Sequence, residues 1–424
     1  MLDINQIRKE PDAVAAALAK KGCVVDFAEW LGWDAEKRAV MAEADALKAR
    51  RNSLSAEVPA RKRAGEDVQP IFAEVRGIGE NIQVLDARVD ALSERMSAFI
   101  DDLPNLPDPD VLPGGKENNQ TIREWGTLPE FAFPAKNHVE LAESLGLIDY
   151  PRGAKLGGNG KWIYTGDGAR LEWALLNYFI DAHIADGYEF ILPPHILNEQ
   201  CGYAAGQFPK FRDDVFWLEG GTHFILPTAE TALVNLHRDE VLREEELPKK
   251  YFAYTPCYRK EAGSYRQEER GMIRGNQFNK VEMVQVTLPE GGAAAFEEMT
   301  RKAEALVQGL GIPYRLSKLA AEDCSASMAR TYDIEVWLPS MGIFKEVSSV
   351  SNANAYQARR GNIRVKRRET GKNEFVHILN GSGLATSRVF PAILENYQQA
   401  DGSVKVPDVL APRIGKDVLK PIRR

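Results

Sequence analysis

Arginines at 259, 266, 270 and 274, with Lys260, fall in one stretch, CYRKEAGSYRQEERGMIR (257–274), where Glu261, Glu268 and Glu269 are interleaved with them. An aromatic, apolar run (KYFAYTPCY, 250–258) precedes it and an alternating run (QFNKVEMVQVTL, 277–288) follows. Charge at that density between two strand-like runs is either a solvated hairpin or a set of cations aimed at a strongly anionic ligand. A further arginine, Arg388, closes NGSGLATSR (380–388) near the start of a helical run. There is no GxxxxGK[ST], and no GxGxxG opens a helix after a strand, so neither of those turns would hold a nucleotide. Two arginine forks and a magnesium ion could instead place positive charge at the phosphorus under attack and at a leaving pyrophosphate.

Glu282 shares one side of the alternating run with Val284 and Val286. A carboxylate on an apolar strand face is costly unless it is paired, so Glu282 is either an exposed strand glutamate or a group with a polar partner.

The elements around these residues read as α+β. Helical runs such as LEWALLNYFIDAHIADG (171–187) alternate with short strand-like runs, among them YEFILPP (188–194), WLEGGTHFILPT (217–228) and FVHILN (375–380). Several strand pairs are joined by short loops, which favours an antiparallel sheet. At 424 residues the chain is long enough for two domains. A net charge of −7 argues against a protein that coats nucleic acid at large. It leaves room for a local basic patch, because salt confines such fields to roughly 10 Å. Cys23, Cys201, Cys257 and Cys324 are far apart and six histidines are scattered, so neither zinc nor a disulfide framework is expected. With no secretory or membrane-length apolar run, a cytoplasmic protein without membrane contact is expected.

The N-terminal region carries a heptad seam: Val75, Ile78, Ile82, Leu85, Val89, Leu92, Met96 and Phe99, in steps of three and four. Val40, Ala44, Leu47, Arg51, Leu54 and Val58 repeat it more weakly. Between them PARKRAGEDVQP (59–70) predicts the tip of an antiparallel coiled-coil hairpin spanning about 35–100. Gly77 and Gly79 weaken the first turns of the second helix. Such a hairpin serves as a dimerisation or spacer element. Alternatively, Arg50, Arg51, Arg61, Lys62 and Arg63 near its tip suit a phosphate backbone. The proline- and glycine-rich segment 103–120 sets the boundary, giving domains 1–110 and 111–424.

Taken together, the hairpin, LGLIDYPRGAK (145–155), GQFPKF (206–211), PTAE (227–230), CYRKEAGS (257–264), RGMIRGNQFNKVE (270–282), KEVSSVSN (345–352), YQARR (356–360) and NGSGLATSRVFPAILENYQ (380–398) resemble, in order and spacing, the bacterial seryl-tRNA synthetases of class II. That resemblance implies a six- or seven-stranded antiparallel sheet flanked by helices and a serine–tRNA ligase reaction through seryl-adenylate. It implies ATP at Arg259, Lys260, Glu261, Phe278, Glu346, Val347, Ser348, Ser349 and Arg388. Arg259 would hold the α-phosphate and Arg388 the γ-phosphate, the two catalytic cations. Glu261 would accept the adenine amino group, Phe278 would stack on adenine, and Glu346 and Ser349 would bind Mg2+. Serine would lie among Thr228, Ala229, Glu230, Arg259, Glu282, Asn352, Asn380 and Ser382.

The resemblance also implies that the hairpin meets the long variable arm of serine tRNA, and of selenocysteine tRNA where one exists, by shape and phosphate contact. The acceptor end would reach the catalytic domain. A homodimer is implied through the 171–194 segment. The chain departs from the family pattern at Tyr265 and Arg266, at Asn276, at Val350 and at 322–325. Two alternatives of a different kind stay open. One is a paralogue for a specialised or inhibitor-resistance pathway, and the other is a non-catalytic tRNA-binding relative.

Overall fold

The computed structural model describes residues 1–261 and 271–422. Its contacts divide into two units, one made of residues 2–19 and 23–103, the other of 1, 20–22 and 104 onward.

The first unit is all helix, dominated by α1 (Ala28–Arg63) and α2 (Gln69–Asp101). Each starts beside an aspartate that caps its first free amide: Asp26 accepts from Ala28 at 2.8 Å and Asp67 from Gln69 at 2.9 Å. The heptad positions do what their period requires, with Ile78, Ile82, Leu92 and Met96 buried in the seam. Glu29 pairs with Arg95, Glu36 with Arg88, Lys48 with Asp86 and Arg50 with Glu74, so one number falls as the other rises, as in an antiparallel pair. Gly77 and Gly79 sit inside α2 without breaking it. The tip is shorter than 59–70. Pro59 lies within α1, and only residues 64–68 turn the chain. Past the proline, in the last turn of α1, Arg61 pairs with Glu57 at 3.0 Å and Lys62 lies 5.6 Å over the Phe72 ring.

In the second unit the order of appearance is β1 (Gln120–Trp125), α3 (Asp167–Ala185), β2 (Glu189–Phe190), β3 (Lys249–Tyr258), β4 (Gln277–Thr287), α4 (Gly292–Gly309), β5 (Tyr314–Lys318), β6 (Arg330–Leu338), β7 (Ile343–Asn352), α5 (Tyr356–Arg360), β8 (His377–Ala385) and α6 (Thr386–Asn396). The strands form an eight-stranded sheet in the order β1-β5-β6-β7-β8-β4-β3-β2. All neighbours run antiparallel except the two-residue edge strand β2, which pairs parallel to β3.

Alternation decides what each face does. On β4, Val281 and Met283 point into the main core, with Leu175 and Phe179 of α3, Met299 of α4 and Phe390 of α6. The opposite face carries Phe278, Lys280, Glu282, Val284 and Val286 in turn. A smaller cluster with Leu233, Ile363 and Val376 covers Val284 and Val286. The polar half of that face is left for a site. No helix among the described residues is long and apolar enough to cross a membrane.

Candidate active site

Four neighbouring strands, β3, β4, β8 and β7, bring the polar residues of that face together. In the register Glu282 stands opposite Ala253 and Ser382, while Asn380 stands opposite Val284 and Ser351. Glu282 is 2% exposed. Lys280, two residues back on the same face, reaches its Oε2 at 2.6 Å and donates to Thr228 Oγ1 at 2.8 Å. Ser382 Oγ donates to the same carboxylate at 3.3 Å. The carboxylate on the apolar strand face is thus paired, which settles the question its position raised.

Glu230 sits at the start of a short helix, Glu230–Leu233. Its Oε1 accepts from Gln357 at 2.8 Å and from Asn380 at 3.1 Å. Burial first, and then the nearby Glu282 carboxylate, push its carboxyl up to about 7. Two acids and a lysine thus gather on the polar half of this face.

Beside these acids is a cationic region. Arg259 follows the last residue of β3. Its guanidinium lies 5.3 Å over the Phe278 ring, and its Nε donates to Pro227 O at 3.3 Å. Asn276 fixes the backbone there, its Nδ2 donating to the carbonyls of Arg259 (3.1 Å) and Lys260 (2.9 Å). Lys260 itself is exposed. Glu261 holds a positive φ of 52° and accepts from Arg274 Nε at 2.6 Å.

Arg388, in the first turn of α6, donates to Glu346 O at 2.8 Å and pairs with its Oε2 at 3.1 Å. Ser349 Oγ donates to Asp333 Oδ1 at 2.5 Å, with Glu346 Oε1 at 3.4 Å. Burial and the neighbouring Glu346 hold the Asp333 carboxyl well above the usual carboxylate range. For Glu346, burial pushes upward, but Arg388, with Arg259 and Lys280, outweighs it and keeps the carboxyl low. Arg388 is the cation in direct contact with Glu346. No group of three His, Cys, Asp or Glu among the described residues is arranged for a metal. The oxygen set offered is two carboxylates and one hydroxyl.

Not every residue expected at the site is brought to it. Asn352 pairs with Leu379, a residue of the main core, so its side chain belongs to the helix-covered face, where Oδ1 accepts from Asn354 N at 2.8 Å. Val347 and Ala229 are buried in the two apolar clusters. Ser348 Oγ donates to Ser382 O at 2.6 Å. Val350 packs behind the sheet near Gly381. Tyr265 and Arg266 lie outside the described residues.

Three residues that the sequence reading left out belong to the site: Lys280, Asp333 and Gln357. Lys280 was findable, since a residue two before Glu282 must share its face. Gln357 lies in the quoted YQARR. Asp333 had only its place in a strand-like run.

The arm's basic residues are all at or near its surface. Arg50 pairs with Glu74, Arg61 with Glu57 and Glu66, and Arg63 Nε donates to Pro59 O at 3.2 Å.

Comparison with known proteins bears on both units. A family model for the tRNA synthetase class II core domain (G, H, P, S and T) matches residues 216–397. A second, for the seryl-tRNA synthetase N-terminal domain, matches residues 1–107. The serine–tRNA ligase 2 of Clostridium acetobutylicum is 60% identical, with 99% of this chain and 100% of the relative covered. A serine–tRNA ligase of Nitratidesulfovibrio vulgaris is 46% identical, with 98% of each chain covered. The crystal structure of seryl-tRNA synthetase from Pyrococcus horikoshii complexed with ATP aligns over 100% of both chains, with a TM-score of 0.93 and 34% identity.

Proposed function

Because the chain belongs to the class II seryl-tRNA synthetases, we propose that it activates L-serine with ATP and passes the seryl group to the 3′ end of serine tRNA. The observation that carries this reading is the meeting, on one sheet face, of a cationic region with a small pocket of paired, buried carboxylates.

In the first step an oxygen of the serine carboxylate attacks the α-phosphorus, and the bond from that phosphorus to the bridging oxygen breaks as pyrophosphate leaves. The nucleophile is already ionised, so no general base is required. What the protein supplies is position and charge. Arg259, held by Asn276 and Pro227, takes the α-phosphate, and Arg388 takes the γ-phosphate. Phe278 stacks on adenine, Glu261 accepts its amino group, and Lys260, Val347 and Ser348 contribute main chain around the nucleotide. In the second step the terminal ribose hydroxyl of the tRNA attacks the seryl carbonyl and AMP leaves.

Glu346 and Ser349, with Asp333, offer hard oxygen donors that suit magnesium. Burial, and then the neighbouring Glu346, push the Asp333 carboxyl up, and a divalent cation between the two carboxylates would relieve that arrangement. Magnesium there would supply positive charge to the phosphates.

Glu282, Glu230, Thr228, Asn380 and Ser382 surround serine. A pocket that hydrogen-bonds the serine hydroxyl rejects alanine by a factor on the order of 10⁴, because its polar groups would be left unpaired. Asn352 and Ala229 take no side-chain part.

The catalytic region is 111–424 and the tRNA-binding region 1–110, with Arg50, Arg51, Arg61, Lys62 and Arg63 meeting the variable arm. A homodimer in the cytoplasm completes the reading. Trp173 and Ile184 on α3 and Leu192 beyond β2, three exposed apolar side chains in the 171–194 segment, support it. A specialised paralogue and a non-catalytic relative are not favoured, since both units match serine–tRNA ligases over the full length.

ATP–pyrophosphate exchange with serine, threonine, alanine and cysteine, with and without serine tRNA, tests the whole. Exchange that depends on serine and needs no tRNA is the expected outcome. Equal exchange with all four amino acids would overturn it.

A further inference from the structure

Behind the site, on the helix-covered face of the sheet, lies a carboxyl that the two-step reaction does not use. Glu172 of α3 is 3% exposed. Its Oε1 accepts from Asn279 Nδ2 at 2.7 Å and from Thr386 Oγ1 at 2.6 Å. Its Oε2 has no hydrogen-bond partner among the described residues. The groups facing it are neutral: Asn279 of β4, Thr386 of α6, the buried hydroxyl of Tyr164, and Tyr254 of β3, whose hydroxyl donates to Asn279 Oδ1 at 3.3 Å. With no cation among the described residues to oppose it, burial pushes this carboxyl up to about 7. A buried acid held only by neutral donors is costly, and an apolar side chain would fill the place with less penalty.

What the acid holds explains its presence. Asn279 lies between Phe278 and Lys280, and strand alternation turns it to the helices while those two face the ligand. Thr386 opens α6, two residues before Arg388. One carboxylate oxygen therefore ties the strand segment that carries the stacking ring to the helix turn that presents the arginine. Thr386 Oγ1 also lies 3.2 Å from Asn279 O, closing the triangle. We infer that Glu172 is a positioning residue for ATP, setting the separation of Phe278 and Arg388 from behind the sheet. The inference rests on the assignment of those two residues to ATP made above. A misplacement of about an ångström is enough to slow a positioned reaction roughly a hundredfold.

The test compares Glu172→Leu, Glu172→Gln and Thr386→Val with the parent in serine-dependent ATP–pyrophosphate exchange, with KM for ATP, KM for serine, kcat and thermal melting read separately. Glu172→Leu should raise the ATP KM or lower kcat by roughly tenfold or more while the serine KM stays within about twofold. Glu172→Gln, which keeps an oxygen acceptor, should recover to within about threefold of the parent, and Thr386→Val should fall between the two. A folded Glu172→Leu enzyme with unchanged ATP parameters would overturn the inference. So would a loss shared equally by ATP and serine that glutamine does not rescue, since that is what a purely structural residue gives. If Glu172→Leu does not fold, Thr386→Val decides, and ATP parameters within about twofold of the parent would refute the role. Arg388→Ala serves as the control. If it leaves ATP binding and kcat unchanged, the assignment of the ATP site fails, and that result is distinct from a failure of Glu172 alone.

Discussion

In the helical arm Lys48 meets Asp86 at 3.0 Å with the two side chains 40% and 51% exposed, whereas in the sheet Lys280 meets Glu282 at 2.6 Å with the two only 8% and 3% exposed. The chemistry of the pairs is the same and their consequences are opposite. Water screens the arm pairs, so each adds little stability and stays free to exchange its partner for a phosphate. The pair in the sheet has left water behind, and either member alone would be a buried uncompensated charge. On the proposed reading, a surface that grips a polyanion is built from charges that can be given away. A pocket meant to select one small zwitterion is built from charges that cannot.

The strongest test of this contrast removes the arm's outer part. Arg50 and Glu74 face each other across the hairpin, so replacing residues 51–73 by a short Gly-Ser turn joins helices that already lie side by side. Aminoacylation should fall below detection while serine-dependent pyrophosphate exchange stays within about twofold, since phosphate contacts serve the tRNA alone. Equal loss of both activities would break the division of labour.

Next in size is Arg259→Ala, which should cut exchange by about 10² to 10³, the effect of losing a group that stabilises transition-state charge. Exchange at the parent rate would remove Arg259 from the α-phosphate.

Lys280→Met strands Glu282 in a dry pocket, so unfolding in urea should show a loss of about 3 to 5 kcal/mol. A loss below about 1 kcal/mol would place the pair with the exposed ones of the arm.

The Glu230 carboxyl gives a dependence on pH. Glu282, Lys280, Arg259, Gln357 and Asn380 surround it, and its value of about 7 lies above the unfolded 4.5. Between those two values the folded state holds a proton that the unfolded state releases. Its contribution to stability is therefore largest below pH 4.5 and declines as pH rises toward 7. Glu230→Gln should flatten that slope in melting curves recorded across the window, and an unaltered slope would mean that another group titrates there.

The smallest effect belongs to the arm. A double-mutant cycle on Lys48 and Asp86 should give about 0.2 to 1 kcal/mol and vanish in high salt. A coupling as large as that of Lys280 and Glu282 would erase the contrast.

How much of this was legible in the residues differs between the regions for the same reason. The seam from Val75 to Phe99 could be read because a heptad is a local period: Ile78, Ile82, Leu92 and Met96 are buried, and Val75, Leu85, Val89 and Phe99 half-buried. At Pro59 the helix runs on to Arg63, where the proline alone predicts a tip; Lys62, lying over Phe72 across the turn, is a contact between the two helices that the local residue pattern does not show. In the sheet, alternation sufficed for the face of Glu282 but was not applied to Lys280. For KEVSSVSN the irregular register between β6 and β7, shifted at Ile334 and Glu335, disrupts simple alternation. Asn352, Val347 and Ser348 are therefore near the site in sequence without presenting side chains to it.

The roles given to Arg259, Glu261 and Arg388 rest on resemblance to the family. The sequence by itself determined the arm, the α+β class, the antiparallel pairing and the strand face of Glu282. Those follow from period, composition and residue type, which act over a few neighbours. Only the tertiary structure decided which groups meet. Glu230, Gln357 and Asn380 converge from separate segments, and Asp333 and Glu346 from two paired strands. Glu172 joins β4 to α6 from a third. The chain's own spacing says nothing of such contacts, because hydrogen bonds and charges act through a few ångströms of space however many residues lie between.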